Sequence, residues 1–190
     1  MRIALFGGSF DPPHLGHVLA ACYARVAAGV DAVWILPVVR HPYGKRLAPL
    51  AQRLELCHLA FGPLGSWAEV RRDEERNPTG YTFDLIQLLS AEHPDHRWCL
   101  IGGSDTARDL PNWHRGRELA ATVEVIAIPR REQGGDDHPA ALPAISSSAV
   151  RQRLTTGARA DDLLPPAVAV RIAACGWYGP DRGNSGQLTR

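Results

Sequence analysis

The chain alternates short apolar runs with longer segments of helical periodicity, and this alternation restricts the fold more than any other feature of the sequence. The apolar runs are rich in Ile, Val, Leu and Trp, as strands are, and cover residues 2–6, 32–36, 67–70, 98–101 and 123–128. The helical segments between them cover residues 15–28, 49–61, 82–92 and 113–121. The pattern predicts an α/β fold, a Rossmann-like open parallel sheet with helices on both faces and right-handed crossovers.

The alternation ends after residue 128. Residues 129–139 carry almost no apolar side chain and are predicted to form a mobile loop. Two more helices are predicted at 147–154 and 166–175 as a short C-terminal helical part, whereas the polar, Gly-rich residues 179–190 are predicted to be a flexible tail. The sequence has no linker long enough to divide it, so residues 1–178 are expected to form a single domain.

Composition argues against several classes of function. Of the 190 residues, 21 are Lys or Arg and 20 are Asp or Glu, so the near-zero net charge provides no bulk attraction to nucleic acid or membrane, and neither partner is expected. The first apolar run is too short for a signal peptide, and no stretch approaches the roughly 20 apolar residues of a membrane span. The four cysteines form no C-x-x-C pair and are expected to be free thiols. We therefore expect a cytoplasmic protein, with a homo-oligomer left open.

The loop after the first predicted strand, residues 7–17, has the sequence GGSFDPPHLGH and enters the first predicted helix. Ligands of an open parallel sheet bind at the carboxyl ends of its strands, where a helix N-terminus offers N–H groups to phosphate. Gly7 and Gly8 leave the backbone open to a nucleotide, and Gly16 removes a side chain that would crowd one. His14 and His17 share one helix face and can donate to phosphate oxygens as negative charge builds up.

The same residues also fit a plainer interpretation, a turn followed by two surface histidines at an ordinary helix start. The position at a strand end, directly after two glycines, favours the nucleotide site. The sequence contains neither G-x-x-x-x-G-K-[ST] nor G-x-G-x-x-G, so the site is not a P-loop or the usual dinucleotide fingerprint.

A second candidate phosphate site is the run ISSSAVR at residues 145–151. Ser146 and Ser147 place hydroxyls at a predicted helix start, and Arg151 adds a guanidinium that fits phosphate oxygens. Simple capping with a solvated Arg is the alternative. If the first loop holds the α-phosphate of a nucleoside triphosphate, this helix start is placed to hold the β- and γ-phosphates.

Together the two motifs resemble the nucleotidyltransferase superfamily marked by an H-x-G-H signature and a late I-S-S-[TS]-x-x-R signature. Within it the chain resembles the bacterial nicotinate (or nicotinamide) mononucleotide adenylyltransferases, whose G-G-[ST]-F-D-P-x-H-x-G-H matches residues 7–17. Residues 100–105 (LIGGSD) and 110–114 (LPNWH) resemble that family's I-G-x-D and L-P-x-W, and residues 77–84 (NPTGYTFD) its S-Y-T-x-D. Residues 164–178 resemble its closing helix, so the similarity spans nearly the whole chain.

The resemblance implies that the chain transfers the adenylyl group of ATP to nicotinate or nicotinamide mononucleotide, forming deamido-NAD or NAD and pyrophosphate. The catalytic residues it implies are His14, His17 and Arg151, with His17 stabilising the transition state. The ATP-binding residues it implies are Gly7, Gly8, Ser9, Phe10, Lys45, Gly103, Asp105, Ile145, Ser146 and Ser147. The mononucleotide-binding residues it implies are Tyr81, Thr82 and Trp113, with the indole stacked on the pyridine ring.

Several points stay open. The family commonly has a basic residue after a P-P-H-K element, and here that residue is Lys45 or Arg46. Mg²⁺ is expected to arrive with ATP, because the sequence has no cluster of carboxylates that would form a dedicated metal site. Phosphopantetheine adenylyltransferase shares both signatures, although it should lack the arrangement of Gly103, Asp105 and Trp113. A non-catalytic nucleotide-binding regulatory module is the other alternative, and Trp113 also fits a structural role as a core or helix-start aromatic residue.

Overall fold

The computed structural model describes residues 1–40, 44–129 and 141–180, and its centre is a parallel sheet. The sheet is built from five strands: β1 (Arg2–Gly8), β2 (Ala32–Pro37), β3 (Ala68–Val70), β4 (Arg97–Gly103) and β5 (Glu124–Ile128). They lie in the order β3-β2-β1-β4-β5, and every neighbouring pair is parallel. The predicted fold class, an open parallel Rossmann-like sheet, is therefore confirmed.

Helices cover both faces of the sheet. The described α-helices are α1 (Leu15–Val26), α2 (Leu50–Phe61), α3 (Thr82–Glu92), α4 (Ser104–Asp109), α5 (Gly116–Thr122), α6 (Ser147–Thr155) and α7 (Pro166–Cys175). Buried side chains of α1, α2, α6 and α7 belong to the core on one face, and those of α3 and α5 to the core on the other. Within residues 1–40, 44–129 and 141–180, no helix is both long and apolar enough to cross a membrane.

Burial on both faces explains why the central strands β1, β2 and β4 appear in the sequence as long apolar runs. Along β1, Ile3 and Leu5 pack against one layer of helices, while Ala4 and Phe6 pack against the other. A strand with only one buried face would alternate apolar with polar residues, as many antiparallel strands do. The apolar runs thus predicted both the strands and their parallel arrangement.

The segment between β4 and β5 differs from the prediction. A helix was expected at 113–121, but α5 begins only at Gly116, after a 3₁₀ turn at Leu110–Asn112. A Cβ on Gly116 would lie 2.1 Å from the Leu110 carbonyl oxygen, so the close approach of this turn requires a glycine. Helix α4 was not predicted, because its six residues are largely polar and show no apolar periodicity.

The strand order places a binding crevice at the centre of the sheet. The chain adds strands to one side of β1 as far as β3 and then returns to the other side with β4 and β5. Loops at the carboxyl ends of β1 and β4 therefore diverge, and ligands of open α/β sheets bind in the resulting crevice. Residues 130–139 of the predicted mobile loop and residues 181–190 of the predicted tail lie outside the described residues.

Candidate active site

A cleft of about 280 Å³ opens at the carboxyl ends of β1, β2 and β4. Gly7, Gly8 and Ser9 form one wall, and Gly80, Thr82 and Trp113 face the same space. A Cβ on Gly7 would meet no atom within 4 Å, so this stretch of backbone is open on the side of its missing side chain. The structure therefore brings predicted ATP-binding and mononucleotide-binding residues to one cavity.

His14 and His17 lie at the start of α1, beside this cleft. Their rings are stacked with centroids 3.7 Å apart and planes 24° from parallel. The backbone N–H of His14 donates to Nδ1 of His17 at 3.2 Å, which satisfies one amide of the helix start. Because Nδ1 accepts this bond, the proton of a neutral His17 ring lies on Nε2, where it can be donated to a phosphate oxygen.

Two residues of this loop have a more structural role than the sequence predicted. Phe10 was expected to bind ATP, but its ring is fully buried and packs edge-on against Phe6, Phe61 and His17. Any contact of Phe10 with ATP would therefore come from its backbone. A Cβ on Gly16 would lie 3.1 Å from the His14 imidazole, so this glycine makes room for the histidine ring itself.

The start of α6 packs directly on the histidine loop. Ser147 Oγ donates to the carbonyl oxygen of Pro12 at 2.9 Å, and Arg151 Nη1 donates to the carbonyl oxygen of Asp11. Arg151 also lies 3.9 Å from the buried carboxylate of Asp11, which accepts from the hydroxyl of Tyr178 at 2.8 Å. Two segments separated by more than 130 residues therefore share one surface.

These contacts limit which groups of α6 can meet a ligand. Ser146 caps the helix, since its Oγ accepts the backbone N–H of Ala149 at 3.1 Å. The hydroxyl proton of Ser147 is committed to Pro12, so a phosphate would meet the N–H groups of the first turn and the Arg151 guanidinium. Ile145 lines a small crevice that also includes His14 and His17.

Of the three predicted mononucleotide-binding residues, Thr82 and Trp113 line the cleft and Tyr81 does not. Thr82 is the first residue of α3 and lines the cleft, so the positive end of that helix dipole faces it. Trp113 lines the cleft and is 37% exposed, which leaves part of the indole open to a partner. The ring of Tyr81 stacks on His114 with centroids 4.2 Å apart, and its N–H donates to Thr79 Oγ1 at 3.2 Å. Tyr81 is not among the cleft-lining residues.

Three further predicted ATP-binding residues, Gly103, Asp105 and Lys45, also lie outside the cleft walls. Gly103 ends β4, and Asp105 lies in the first turn of α4, where its exposed carboxylate pairs with Arg108. Both positions are at the carboxyl edge of the sheet. Lys45 is exposed on the segment between β2 and α2, and the structure gives no reason to prefer it to Arg46.

Arg53 is a functionally relevant residue that sequence reasoning missed. It is only 1% exposed, and its guanidinium donates to the carbonyl oxygens of Ala48 (2.9 Å), Ser9 (2.9 Å) and Val38 (2.8 Å). Ser9 and Val38 line the cleft, so one buried cation joins two of its walls. The available signal was a charged residue four positions before Cys57, on the apolar face of α2.

Glu74 was also missed. This carboxyl group lines the cleft, and only 8% of the residue is exposed. Burial raises its pKa from the ordinary value of 4.5 to about 7, with the hydrogen bond from Asn77 acting against the rise and the charge of Asp73 adding to it.

We expect Glu74→Gln to stabilise the protein in a pH-dependent way. The folded chain holds the Glu74 proton more tightly than the unfolded chain, so the wild type loses stability as the pH rises from about 4.5 to about 7. Glutamine does not titrate. The free energy of unfolding of the variant, relative to wild type, should increase by about 2–3 kcal/mol between pH 5 and pH 8, measured by urea denaturation. If the difference in unfolding free energy between variant and wild type were the same at pH 5 and pH 8, Glu74 would ionise normally.

Comparison with known proteins agrees with this geometry. The model of the cytidylyltransferase-like family matches residues 5–153. The chain is 42% identical to the probable nicotinate-nucleotide adenylyltransferase of Anaeromyxobacter sp. (strain K), covering 93% of this chain and 96% of that protein. It is 36% identical to the protein of the same name from Myxococcus xanthus (strain DK1622), covering 96% and 97%. The solved structure of Plasmodium falciparum nicotinic acid mononucleotide adenylyltransferase complexed with NaAD has a TM-score of 0.77 at 21% identity, covering 93% and 97%, and so shares the fold.

Proposed function

Because this chain belongs to the cytidylyltransferase-like family, and within it to the nicotinate-nucleotide adenylyltransferases, we infer that it transfers the adenylyl group of ATP to nicotinate mononucleotide. The products are deamido-NAD and pyrophosphate, and the reaction is a step of NAD biosynthesis. The observation that carries this inference is the direct contact between the histidine loop and the start of α6. This contact supports the inference, because two segments that we propose to bind phosphate meet at one surface.

We propose the following roles for the residues of the site. His14 and His17 contact the triphosphate, and Nε2 of His17 donates to the α-phosphate as its charge grows in the transition state. Arg151 and the first-turn N–H groups of α6 hold the pyrophosphate. The mononucleotide lies in the cleft, where Trp113 stacks on the pyridine ring and the N-terminus of α3 faces its 3-substituent.

The chemistry is a single in-line displacement. A phosphate oxygen of the mononucleotide attacks the α-phosphorus of ATP, a new P–O–P linkage forms, and the bond to the bridging oxygen of pyrophosphate breaks. No covalent intermediate with the protein is needed. Holding the two substrates in line can lower the activation free energy by about 7 to 11 kcal/mol. Fixed hydrogen-bond donors around the α-phosphate lower it further.

We propose that Mg²⁺ enters as part of the MgATP substrate. Among the described residues, no group of three or more His, Cys, Asp or Glu side chains could hold a metal ion. The described donors near the phosphates are imidazole, guanidinium and N–H groups, which suit phosphate oxygens more than a cation. We also propose a cytoplasmic location, because all four cysteines are free thiols. Nucleic acid and membrane are not part of the proposal, and a homo-oligomer is compatible with it.

The proposed reaction is tested by measuring pyrophosphate release from MgATP with three acceptors, nicotinate mononucleotide, nicotinamide mononucleotide and phosphopantetheine. We expect release with a pyridine mononucleotide and none with phosphopantetheine, because the Trp113 indole can stack on a flat ring and the α3 N-terminus can face a polar ring substituent. A lead for phosphopantetheine would overturn the assignment. If none of the three acceptors supported pyrophosphate release, the chain would be a nucleotide-binding module without turnover.

A further inference from the structure

Glu74 lies where a pyridine ring substituent would be recognised. It sits on the 3₁₀ turn Asp73–Arg76 and lines the cleft together with Gly80 and Thr82. Its Oε2 accepts from Asn77 Nδ2 at 3.1 Å, and no other hydrogen bond between described residues reaches the carboxylate. A carboxyl group that lines a cavity and has one hydrogen-bonding side chain among the described residues is placed to contact a ligand.

Asn77 ties this carboxylate to the segment that begins α3. Its Oδ1 accepts the backbone N–H of Gly80 at 3.2 Å, and its Nδ2 also donates to the carbonyl oxygen of Tyr81 at 3.3 Å. The position of Glu74 is therefore fixed relative to Thr82, whose helix N-terminus faces the same space. An anion bound by that N-terminus would lie near the Glu74 carboxyl.

Burial, with a smaller contribution from the charge of Asp73, raises the pKa of Glu74 to about 7, so this carboxyl is close to its titration midpoint at neutral pH. Although burial acts against it, hydrogen bonds from Arg71 and Arg76 hold the pKa of Asp73 below its usual range, so that neighbour is anionic. Glu75, on the same turn, is exposed and pairs with Arg72 at 2.6 Å. From the segment after β2, Arg40 lines an adjacent groove together with Glu74.

We propose that Glu74 selects between the acid and the amide form of the pyridine mononucleotide: protonated, it favours the carboxylate of nicotinate, and ionised, it favours the carboxamide of nicotinamide. This rests on the proposed function, and it concerns only the substituent of the ring. Glu74 takes no part in the transfer of the adenylyl group.

The physical basis is the charge on the 3-substituent. A protonated Glu74 donates a short O–H···O⁻ hydrogen bond to a nicotinate carboxylate. An ionised Glu74 repels that carboxylate in a low-dielectric cleft, but it accepts from the NH₂ group of nicotinamide. If nicotinate mononucleotide bound only the protonated form, its apparent affinity would fall about 30-fold from pH 6 to pH 8.5.

The test is the ratio of kcat/KM for nicotinate mononucleotide to kcat/KM for nicotinamide mononucleotide, measured at pH 6 and pH 8.5. Both acceptors carry the same phosphate and react with the same MgATP. The pH dependence of the groups common to both reactions therefore cancels in the ratio. We expect the wild-type ratio to fall by at least about 10-fold over this range, since nicotinate binding weakens while nicotinamide binding strengthens, and the ratio for Glu74→Gln to stay constant. Glu75→Gln, an exposed neighbour on the same turn, should behave as wild type.

Two results overturn the proposal. One is a wild-type ratio that does not change with pH, which decides the matter without any variant. The other is a pH-dependent ratio that persists in Glu74→Gln, or in Glu74→Ala if the glutamine variant fails to fold. Failure of the proposed function is a different observation, because neither mononucleotide would then release pyrophosphate at any pH.

Discussion

Replacing His17 with alanine lowers kcat by roughly 10²- to 10⁴-fold while the protein stays folded. The substitution removes the Nε2 donor proposed to meet the α-phosphate as its negative charge grows. It also removes the acceptor of the His14 backbone N–H, so α1 loses a cap worth about 0.5–2 kcal/mol. Steady-state pyrophosphate release measures the first effect, and thermal unfolding measures the second.

Two further variants separate these effects. His17→Asn retains an acceptor near the position of Nδ1, so it should keep the cap but remain as slow as the alanine variant. His17→Gln reaches further and can place an amide donor near the position of Nε2, so it should recover part of the turnover. The matched control is His58→Ala, which removes an exposed histidine from α2 and should leave turnover unchanged. Near-normal turnover in His17→Ala would remove this histidine from the mechanism.

The fold was predictable because the three central strands of the sheet, β1, β2 and β4, are mostly buried on both faces. All six residues of β2 are buried, so the strand appears in the sequence as an uninterrupted apolar run. The histidine loop was identifiable for a related reason, since its position after β1 follows from the strand assignment. Helix α4 was not predictable, because its six residues show no apolar periodicity, and the late start of α5 was not predictable, because it depends on close backbone packing at Gly116.

The site was predictable where function depends on local spacing. His14 and His17 lie three apart on a helix start, and their stacking follows from that spacing. Residues whose role comes from tertiary contacts were not found. Glu74 was indistinguishable from the exposed carboxylates around it until its burial was known, and the ring of Phe10 turned out to be part of the core.

Arg53 is the clearest case of a role set by tertiary contacts, and we expect its loss to have the largest effect on stability. Replacing it with methionine should lower the free energy of unfolding by about 3–5 kcal/mol, the usual effect of breaking a buried charged network. Three carbonyl oxygens, of Ala48, Ser9 and Val38, would lose their donor, and methionine fills a similar volume without replacing it.

A lysine at position 53 would test whether charge alone is sufficient. Its ammonium is compact and cannot reach three carbonyls that a planar guanidinium spans, so Arg53→Lys should recover only part of the lost stability in urea denaturation. At a temperature where it is folded, its KM for the mononucleotide should rise, because Ser9 and Val38 line the cleft. The control is Arg171→Met, which removes an exposed ion pair with Glu55 and should change stability by no more than about 1 kcal/mol. If Arg53→Met were as stable as this control, the two walls of the cleft would be held together by packing alone.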